Sequence, residues 1–231
     1  MSEFKEYFYR YPHPAVTADC VVFGFDGQVL KVLLIQRGQE PFKGRWALPG
    51  GFLNENETLE QCALRELQEE TGMKPAYMEQ VGVYSRPDRD PRERVITVAF
   101  FALAKIESVK GDDDAAQAEW FATDKVPQLA FDHDSILKNA LMRLRERIHF
   151  YPIGKDLLPE KFTFKELQNL YEAILNVKFD RRNFAKKMLH YDILTPLDER
   201  AVSVTGRRAN LYSFNLVRYN ELKQKSYRLE F

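Results

Sequence analysis

The chain has little cysteine, no long apolar run and no net charge, and each shortage excludes something. Two cysteines in 231 residues, Cys20 and Cys62, cannot build a disulfide framework, and neither has Cys/His partners at metal-ligand spacing. Both read as buried free thiols. No stretch approaches the roughly 18 consecutive apolar residues that suggest a membrane span. Met1–Tyr11 is charged and aromatic, unlike a signal sequence, so a cytoplasmic chain with no membrane partner is expected. No internal repeat or low-complexity tract is visible. The balance of 34 basic and 34 acidic residues conceals an asymmetry: residues 1–150 carry 19 Lys+Arg against 24 Asp+Glu, net −5, whereas 151–231 carry 15 against 10, net +5. Two units with different partners would show such a shift, the second unit suiting an anionic partner.

What is present begins with a strand pattern. Val16–Phe25 and Val29–Gln36 read as strands joined at Asp26-Gly27, a hairpin signal. Gly38–Gly51 is punctuated by Gly and Pro and reads as a loop leading to a helix that ends at Gly72. Met78–Tyr84 and Arg94–Lys105 follow as strands, the second bulky on both faces as a buried central strand requires. Gln117–Phe121 resembles another strand and Asp134–Phe150 an amphipathic basic helix. Mixed strands with two helices pack naturally as an α/β/α sandwich. The Pro/Gly-rich stretch Tyr151–Pro159 marks a boundary between units at 1–150 and 151–231. Beyond it, Thr163–Leu175 is helical with a Thr163/Glu166 capping box and a stripe of Leu167, Leu170, Tyr171 and Ile174. Arg181–His190 is a second helix expected to bury Phe184, Met188 and Leu189. Ile193–Leu197 and Leu211–Asn215 read as strands around a basic loop with Arg200, Arg207 and Arg208. Helix, turn, helix, hairpin is the order of a winged helix-turn-helix.

The chemistry concentrates on the first helix. Glu66, Glu69 and Glu70 stand at i, i+3 and i+4, on one face, where each like-charge pair costs roughly 0.2–0.5 kcal/mol. They also lie at the negative end of the helix dipole, where stability alone would favour Lys or Arg. Three hard oxygen donors there suit Mg²⁺ or Mn²⁺.

With its flanks, the segment reads Gly51-x5-Glu57-x7-Arg65-Glu66-Leu67-x-Glu69-Glu70-x-Gly72-Met73 and so resembles the Nudix box at every fixed position. That resemblance implies a Nudix α/β/α sandwich with a mixed sheet, and hydrolysis of a nucleoside diphosphate linked to another group with Mg²⁺ or Mn²⁺. It implies Glu69 and Glu70 as main metal ligands, Glu66 assisting, the Gly50 carbonyl completing the shell, and Arg65 holding the carboxylates with Glu57 as its counter-charge. Asp112–Asp114 falls where the family often has a further carboxylate, which makes Asp114 a metal candidate. The loop Ser85–Glu93, with Leu129–His133 downstream, resembles the ADP-ribose pyrophosphatase branch. Its Arg86, Arg89, Arg92 and the adjoining Arg94 are substrate-clamp candidates.

Across nearly the whole chain, the order of box domain, connecting helix and winged helix is similar to the NrtR-like Nudix-related transcriptional regulators. The resemblance implies a homodimer whose Nudix domain binds ADP-ribose or a relative and whose winged helix binds double-stranded operator DNA. Arg181, Arg182 and Asn183, at the N-terminal end of the second helix, are candidates for base edges. Lys186 and Lys187 follow one turn later as further DNA-binding candidates, and Arg207 and Arg208, on the proposed wing tip, are candidates for phosphate or minor-groove contact. The intact box leaves hydrolysis open. The other reading is an ADP-ribose-type hydrolase whose second domain serves assembly.

Overall fold

The computed structural model describes residues 10–106, 115–150, 153–202, 208–225 and 228. Strands β1 (Ala15–Phe25) and β2 (Leu30–Arg37) form the expected hairpin. Its turn is held by Asp26, whose Oδ1 accepts from the N–H of Gln28 (2.9 Å) and of Val29 (2.8 Å). The stretch expected as a loop contains two short strands, β3 (Trp46–Ala47) and β4 (Gly50–Phe52). β4 pairs with β1, setting Gly50 opposite Asp19 and Gly51 opposite Ala18. That pairing anchors the glycines beside the helix that follows.

Helix α1 (Leu59–Thr71) starts at a capping box, Thr58 with Gln61, and stops at Gly72 in the left-handed conformation, φ 72°. β5 (Tyr77–Tyr84), β6 (Val95–Leu103) and β7 (Ala115–Ala122) complete a mixed sheet among the described residues. Its order is β3-β2-β1-β6-β5, with β7 beside β2, β4 beside β1, and β1 parallel to β6. Alternation along β1 separates two cores. Cys20 and Val22 face Cys62, Ala63 and Leu67 of α1. Val21 and Phe23 face Ile136, Leu137, Ala140 and Leu144 of helix α2 (His133–Arg147) on the other side. The result is a three-layer sandwich, and both cysteines are buried and free.

The remainder begins with a turn of helix, α3 (Gly154–Leu157), a two-residue strand β8 (Phe162–Thr163), and α4 (Phe164–Leu175). The Thr163/Glu166 capping box forms, and Leu167, Leu170, Tyr171 and Ile174 are fully buried. After α5 (Arg181–His190), strands β9 (Leu194–Val202) and β10 (Arg208–Phe214) make a three-stranded sheet of order β8-β10-β9, and α6 (Leu216–Gln224) follows. Pro196 is tolerated because β9 is an edge strand. Two expectations change here. Leu189 is 49% exposed: α5 buries Phe184 and Met188 at i, i+4, and Leu189 points a further 100° round the helix. Arg200 and Arg208 lie in strands rather than in a loop, since β9 and β10 extend further than their apolar residues suggest.

The two halves share one hydrophobic cluster, running from the α2 face of the sandwich to Leu170, Tyr171, Phe184 and Met188. Two side chains stitch the junction: Arg145 Nε donates to the Ile174 carbonyl (2.8 Å) and Asn169 Nδ2 to the Gly27 carbonyl (3.2 Å). No described helix is long and apolar enough to cross a membrane.

Candidate functional site

The acidic face of α1 is organised by Arg65. Its Nε and Nη2 grip both oxygens of Glu57 (3.0 and 2.7 Å), while Nη1 donates to Glu66 (2.7 Å) and Glu69 (2.9 Å). Hydrogen bonds from Arg65, joined by one from the Asn54 N–H (2.8 Å), pull the Glu57 pKa down to about 2. Glu57 in turn raises that of Arg65. Burial raises the pKa of Glu66 against the opposing pull of Arg65. Glu70 is buried and turned away, accepting from the Gly50 N–H at 2.9 Å. Burial pushes its pKa up to about 8, with Glu66 and Asp19 adding to the rise and the Gly50 N–H opposing it. Both box-proximal glycines are crowded, Gly50 against backbone and Gly51 against the end of a flexible side chain. At Gly50, φ 156°, a Cβ would lie 2.3 Å from the Ala18 carbonyl; at Gly51 it would lie 2.3 Å from the Glu66 carboxylate.

The opposite wall comes from β1, β2, the 86–94 loop and the start of α2, and together they enclose a cleft of about 400 Å³. Arg89 is buried, bidentate to Asp132 (2.8 and 3.2 Å) and 3.5 Å from Asp19. Arg92 is bidentate to buried Asp90 and lies over the rings of Phe52 (5.2 Å) and Phe131 (5.8 Å). Burial alone would raise the Asp90 pKa, but the hydrogen bonds from Arg92 lower it. Arg37 stacks on Phe131 at 4.8 Å, with its pKa lowered by burial first and by Arg92 second. Phe131 and Phe42 hold positive φ, 53° and 67°, and meet edge to face at 4.9 Å. Non-glycine residues in that conformation are uncommon and cluster at sites where neighbours over-determine them.

On the second unit, α5 is capped by Asp180, whose Oδ1 accepts from the Asn183 N–H at 2.9 Å. Phe184 and Met188 turn inward, leaving Arg181, Arg182, Asn183, Lys186 and Lys187 exposed. Arg208, at the start of β10, is also exposed.

Residues 13–142 match the NUDIX domain family. The chain belongs to the Nudix family. Residues 154–214 match the NrtR DNA-binding winged helix domain, so it has the two-domain NrtR arrangement. It is 36% identical over 216 residues to the "ADPR responsive transcriptional repressor NtrR" of Acinetobacter baylyi, covering 91% of this chain and 86% of that protein. An ADP-ribose pyrophosphatase of Methanocaldococcus jannaschii is 46% identical over 129 residues, 56% of this chain and 74% of that enzyme. Shewanella oneidensis NrtR, crystallised with a 27mer DNA, is similar with TM-score 0.77 and 33% identity over 93% of this chain and 97% of that one.

Within the Nudix cleft the structure gathers Gly50, Arg65, Glu66, Glu69 and Glu70 with Arg89 and Arg92. Arg86 and Arg94 do not line it. Arg86 is exposed and paired with Asp88, and Arg94 donates to the Arg86 carbonyl, because the loop turns its two ends outward while Arg89 and Asp90 tuck in. Arg89 is committed to Asp132 and lies at the floor, so of the four loop arginines Arg92 presents the most accessible cation to the cleft. Asp114 and Arg207 lie outside the described residues.

Nudix hydrolases generally use a divalent cation, and the hard oxygens of the box fit one. The missing Cβ at Gly51 is what lets the Glu66 carboxylate sit against β4. Yet among the described residues no three His, Cys, Asp or Glu side chains converge closely enough to hold an ion as they stand. Arg65 bonds to both Glu66 and Glu69, and Glu70 bonds to the Gly50 N–H. Of the three carboxylates placed on one face by helical spacing, Glu66 and Glu69 therefore gather on Arg65 while Glu70 turns to the Gly50 N–H. Cleft residues missed from sequence include Asp19, Arg37 and Phe52, while Phe131 and His133 lie in the Leu129–His133 stretch noted there without a role. Asp19 had a signal, as a lone acid within an otherwise apolar strand.

Proposed function

We propose that this Nudix–winged-helix chain is a transcriptional regulator that responds to ADP-ribose or a closely related nucleoside diphosphate derivative. The carrying observation is a likeness running through both domains at once, to an ADPR responsive repressor in sequence and to a DNA-bound regulator in structure. The local geometry supports it. The exposed N-terminal end of α5 offers Arg181, Arg182 and Asn183 to base edges, with Lys186 and Lys187 one turn on. Arg207 and Arg208 belong to the proposed wing. A single winged helix diluted by Asp180, Asp192 and Asp198 makes few contacts, so a homodimer reading two half-sites is the proposed assembly. We take the functional division as 1–150 and 151–231.

The cleft keeps Glu66, Glu69, Glu70 and Arg65, which supports retained hydrolysis of the pyrophosphate. Glu69 and Glu70, assisted by Glu66 and the Gly50 carbonyl, would hold Mg²⁺ or Mn²⁺. When bound, such an ion would supply positive charge against that of the pyrophosphate and Lewis acidity for hydrolysis. Arg92, near the rings of Phe52 and Phe131, would meet a phosphate or a base. The likeness to an ADP-ribose pyrophosphatase favours the second reading, an enzyme whose C-terminal domain serves assembly.

Selecting duplexes from a random library on the purified protein, then titrating the selected DNA by fluorescence anisotropy, tests the regulator. ADP-ribose should change the DNA affinity. Arg182→Ala should weaken specific binding by about 5- to 150-fold, as for loss of a base contact worth about 1–3 kcal/mol. An enzyme with an assembly domain would select no sequence. It would still turn over ADP-ribose with Mg²⁺ in a Glu70-dependent way.

A further inference from the structure

The floor of the Nudix cleft holds two polar groups that face each other without bonding. Asp19 is buried, its side chain 9% exposed, and its Oδ2 has no hydrogen-bond partner. Arg89 Nη2 stands 3.5 Å away as an ion-pair partner without hydrogen bonding to it, and a buried carboxylate oxygen short of a hydrogen bond calls for an explanation. Across from it is His133, buried at the start of α2. The Leu48 N–H donates to His133 Nδ1 at 3.0 Å, so Nδ1 must be unprotonated and the ring proton lies on Nε2. Burial lowers the pKa of His133, in keeping with a neutral ring. Nε2 is 3.8 Å from Asp19 Oδ2, beyond direct hydrogen-bond reach. Both residues line the cleft.

The chemistry of the gap selects its occupant. A phosphate oxygen would meet the Asp19 carboxylate and be repelled. A cation would meet the Nε2–H proton and the Arg89 guanidinium, 3.5 Å from the same Asp19 oxygen. A neutral group that accepts one hydrogen bond and donates another fits both partners: a water, or a ligand hydroxyl that takes its place. Its neighbourhood is the pyrophosphate end of the cleft: Asp19 pairs with Gly50 across the strands, and the Gly50 N–H holds Glu70.

We propose that Asp19 and His133 form a hydroxyl-recognising subsite that takes a ribose hydroxyl of the nucleoside diphosphate ligand. The hydroxyl oxygen accepts from His133 Nε2 and its proton is donated to Asp19 Oδ2. This rests on reading the cleft as a site for ADP-ribose or a relative. It adds that the sugar next to the diphosphate is checked by its hydroxyls at the floor, apart from the box residues. A site built to bond a hydroxyl rejects an analogue without it, because its own buried groups are then unpaired.

The test is calorimetric titration of the full chain in EDTA, which prevents turnover, with ADP-ribose, ADP and ADP lacking both ribose hydroxyls. Two affinity ratios are read, ADP-ribose over ADP and ADP over its dideoxy form. If the terminal sugar supplies the hydroxyl, the first ratio is about tenfold or more in the wild type; if the adenosine ribose does, the second is. Asp19→Ala should collapse that ratio toward one, and Asp19→Asn, which keeps an acceptor, should restore part of it. Both ratios below about threefold in the wild type would overturn the proposal without reference to any variant, leaving a site for water only. Equal weakening of all three ligands by Asp19→Ala would overturn it too, as a structural effect. Failure of the wild type to bind ADP-ribose at all would instead remove the reading of the cleft, and the subsite with it.

Discussion

Replacing Arg89 by methionine should destabilise the Nudix half far more than loss of any surface charge. The Arg89 side chain is 3% exposed, gives two hydrogen bonds to Asp132 (11% exposed) and stands 3.5 Å from Asp19 (9% exposed). Methionine fills a similar volume, so little of the loss is cavity. What remains is two carboxylates in a desolvated floor without their cation. Removing one partner of a buried ion pair costs about 3–5 kcal/mol, against about 0–1 kcal/mol for exposed pairs. With a urea slope of about 2 kcal/mol per molar, the unfolding midpoint should fall by about 1.5–2.5 M. Tryptophan fluorescence is the appropriate probe, because Trp46 and Trp120 both lie in strands of the sandwich, β3 and β7. Adding Asp132→Asn to Arg89→Met should recover part of the loss by removing one of the stranded charges. A cost under about 1 kcal/mol would refute the reasoning, since it would mean that Asp19 and Asp132 reach water and that the floor is not a low-dielectric pocket.

Three other predictions follow from the same geometry. Glu70 has its folded pKa raised to about 8, so the stabilisation from its protonated form is present at low pH and lost as pH rises from its unfolded value of about 4.3 through 8. Glu70→Gln, measured in EDTA, should therefore gain stability relative to wild type at pH 8.5 but not at pH 4, while abolishing Mg²⁺-dependent turnover. Gly51→Ala puts a Cβ 2.3 Å from the Glu66 carboxylate, which can swing aside because it ends a flexible side chain. The variant should melt near wild type yet lose Mg²⁺-dependent turnover, and normal turnover would show that Glu66 need not approach β4. Phe184, buried against Phe164, Tyr171 and Phe179, should cost about 3–5 kcal/mol on truncation to alanine. Circular dichroism melts would detect that loss, and specific DNA binding should fall with it.

Much of the architecture was readable because local chemistry and the fold agree. The Asp26-Gly27 turn, the two-sided apolar run of β6 and the Thr163/Glu166 cap each state their structure within a few residues. Boundaries were less readable where tertiary pairing extends an element beyond its own pattern. β4 forms from Gly50-Gly51-Phe52 because β1 offers an edge there, and β9 runs through polar Asp198, Glu199 and Arg200 because β10 lies alongside. Leu189 misled because an apolar residue on a short helix carries no label for the face that has a neighbour.

The functional residues divide the same way. Helical spacing and box order by themselves determined that Glu66, Glu69, Glu70 and Arg65 act as a unit, since all lie within one and a half turns of α1. Charge order along the chain likewise determined the exposed basic end of α5. The box resemblance already implied Arg65 holding the carboxylates with Glu57, and only the tertiary structure decided that Glu70 turns to the Gly50 N–H, that Arg89 and Arg92 enter the cleft while Arg86 and Arg94 leave it, and that Asp19 meets His133. The last pair is separated by more than a hundred residues, and strand β1 and helix α2 are brought together by the packing of apolar faces. Local periodicity shows which side chains share a surface. Which surfaces meet is decided by burial over the whole chain, and no short window of sequence contains that information.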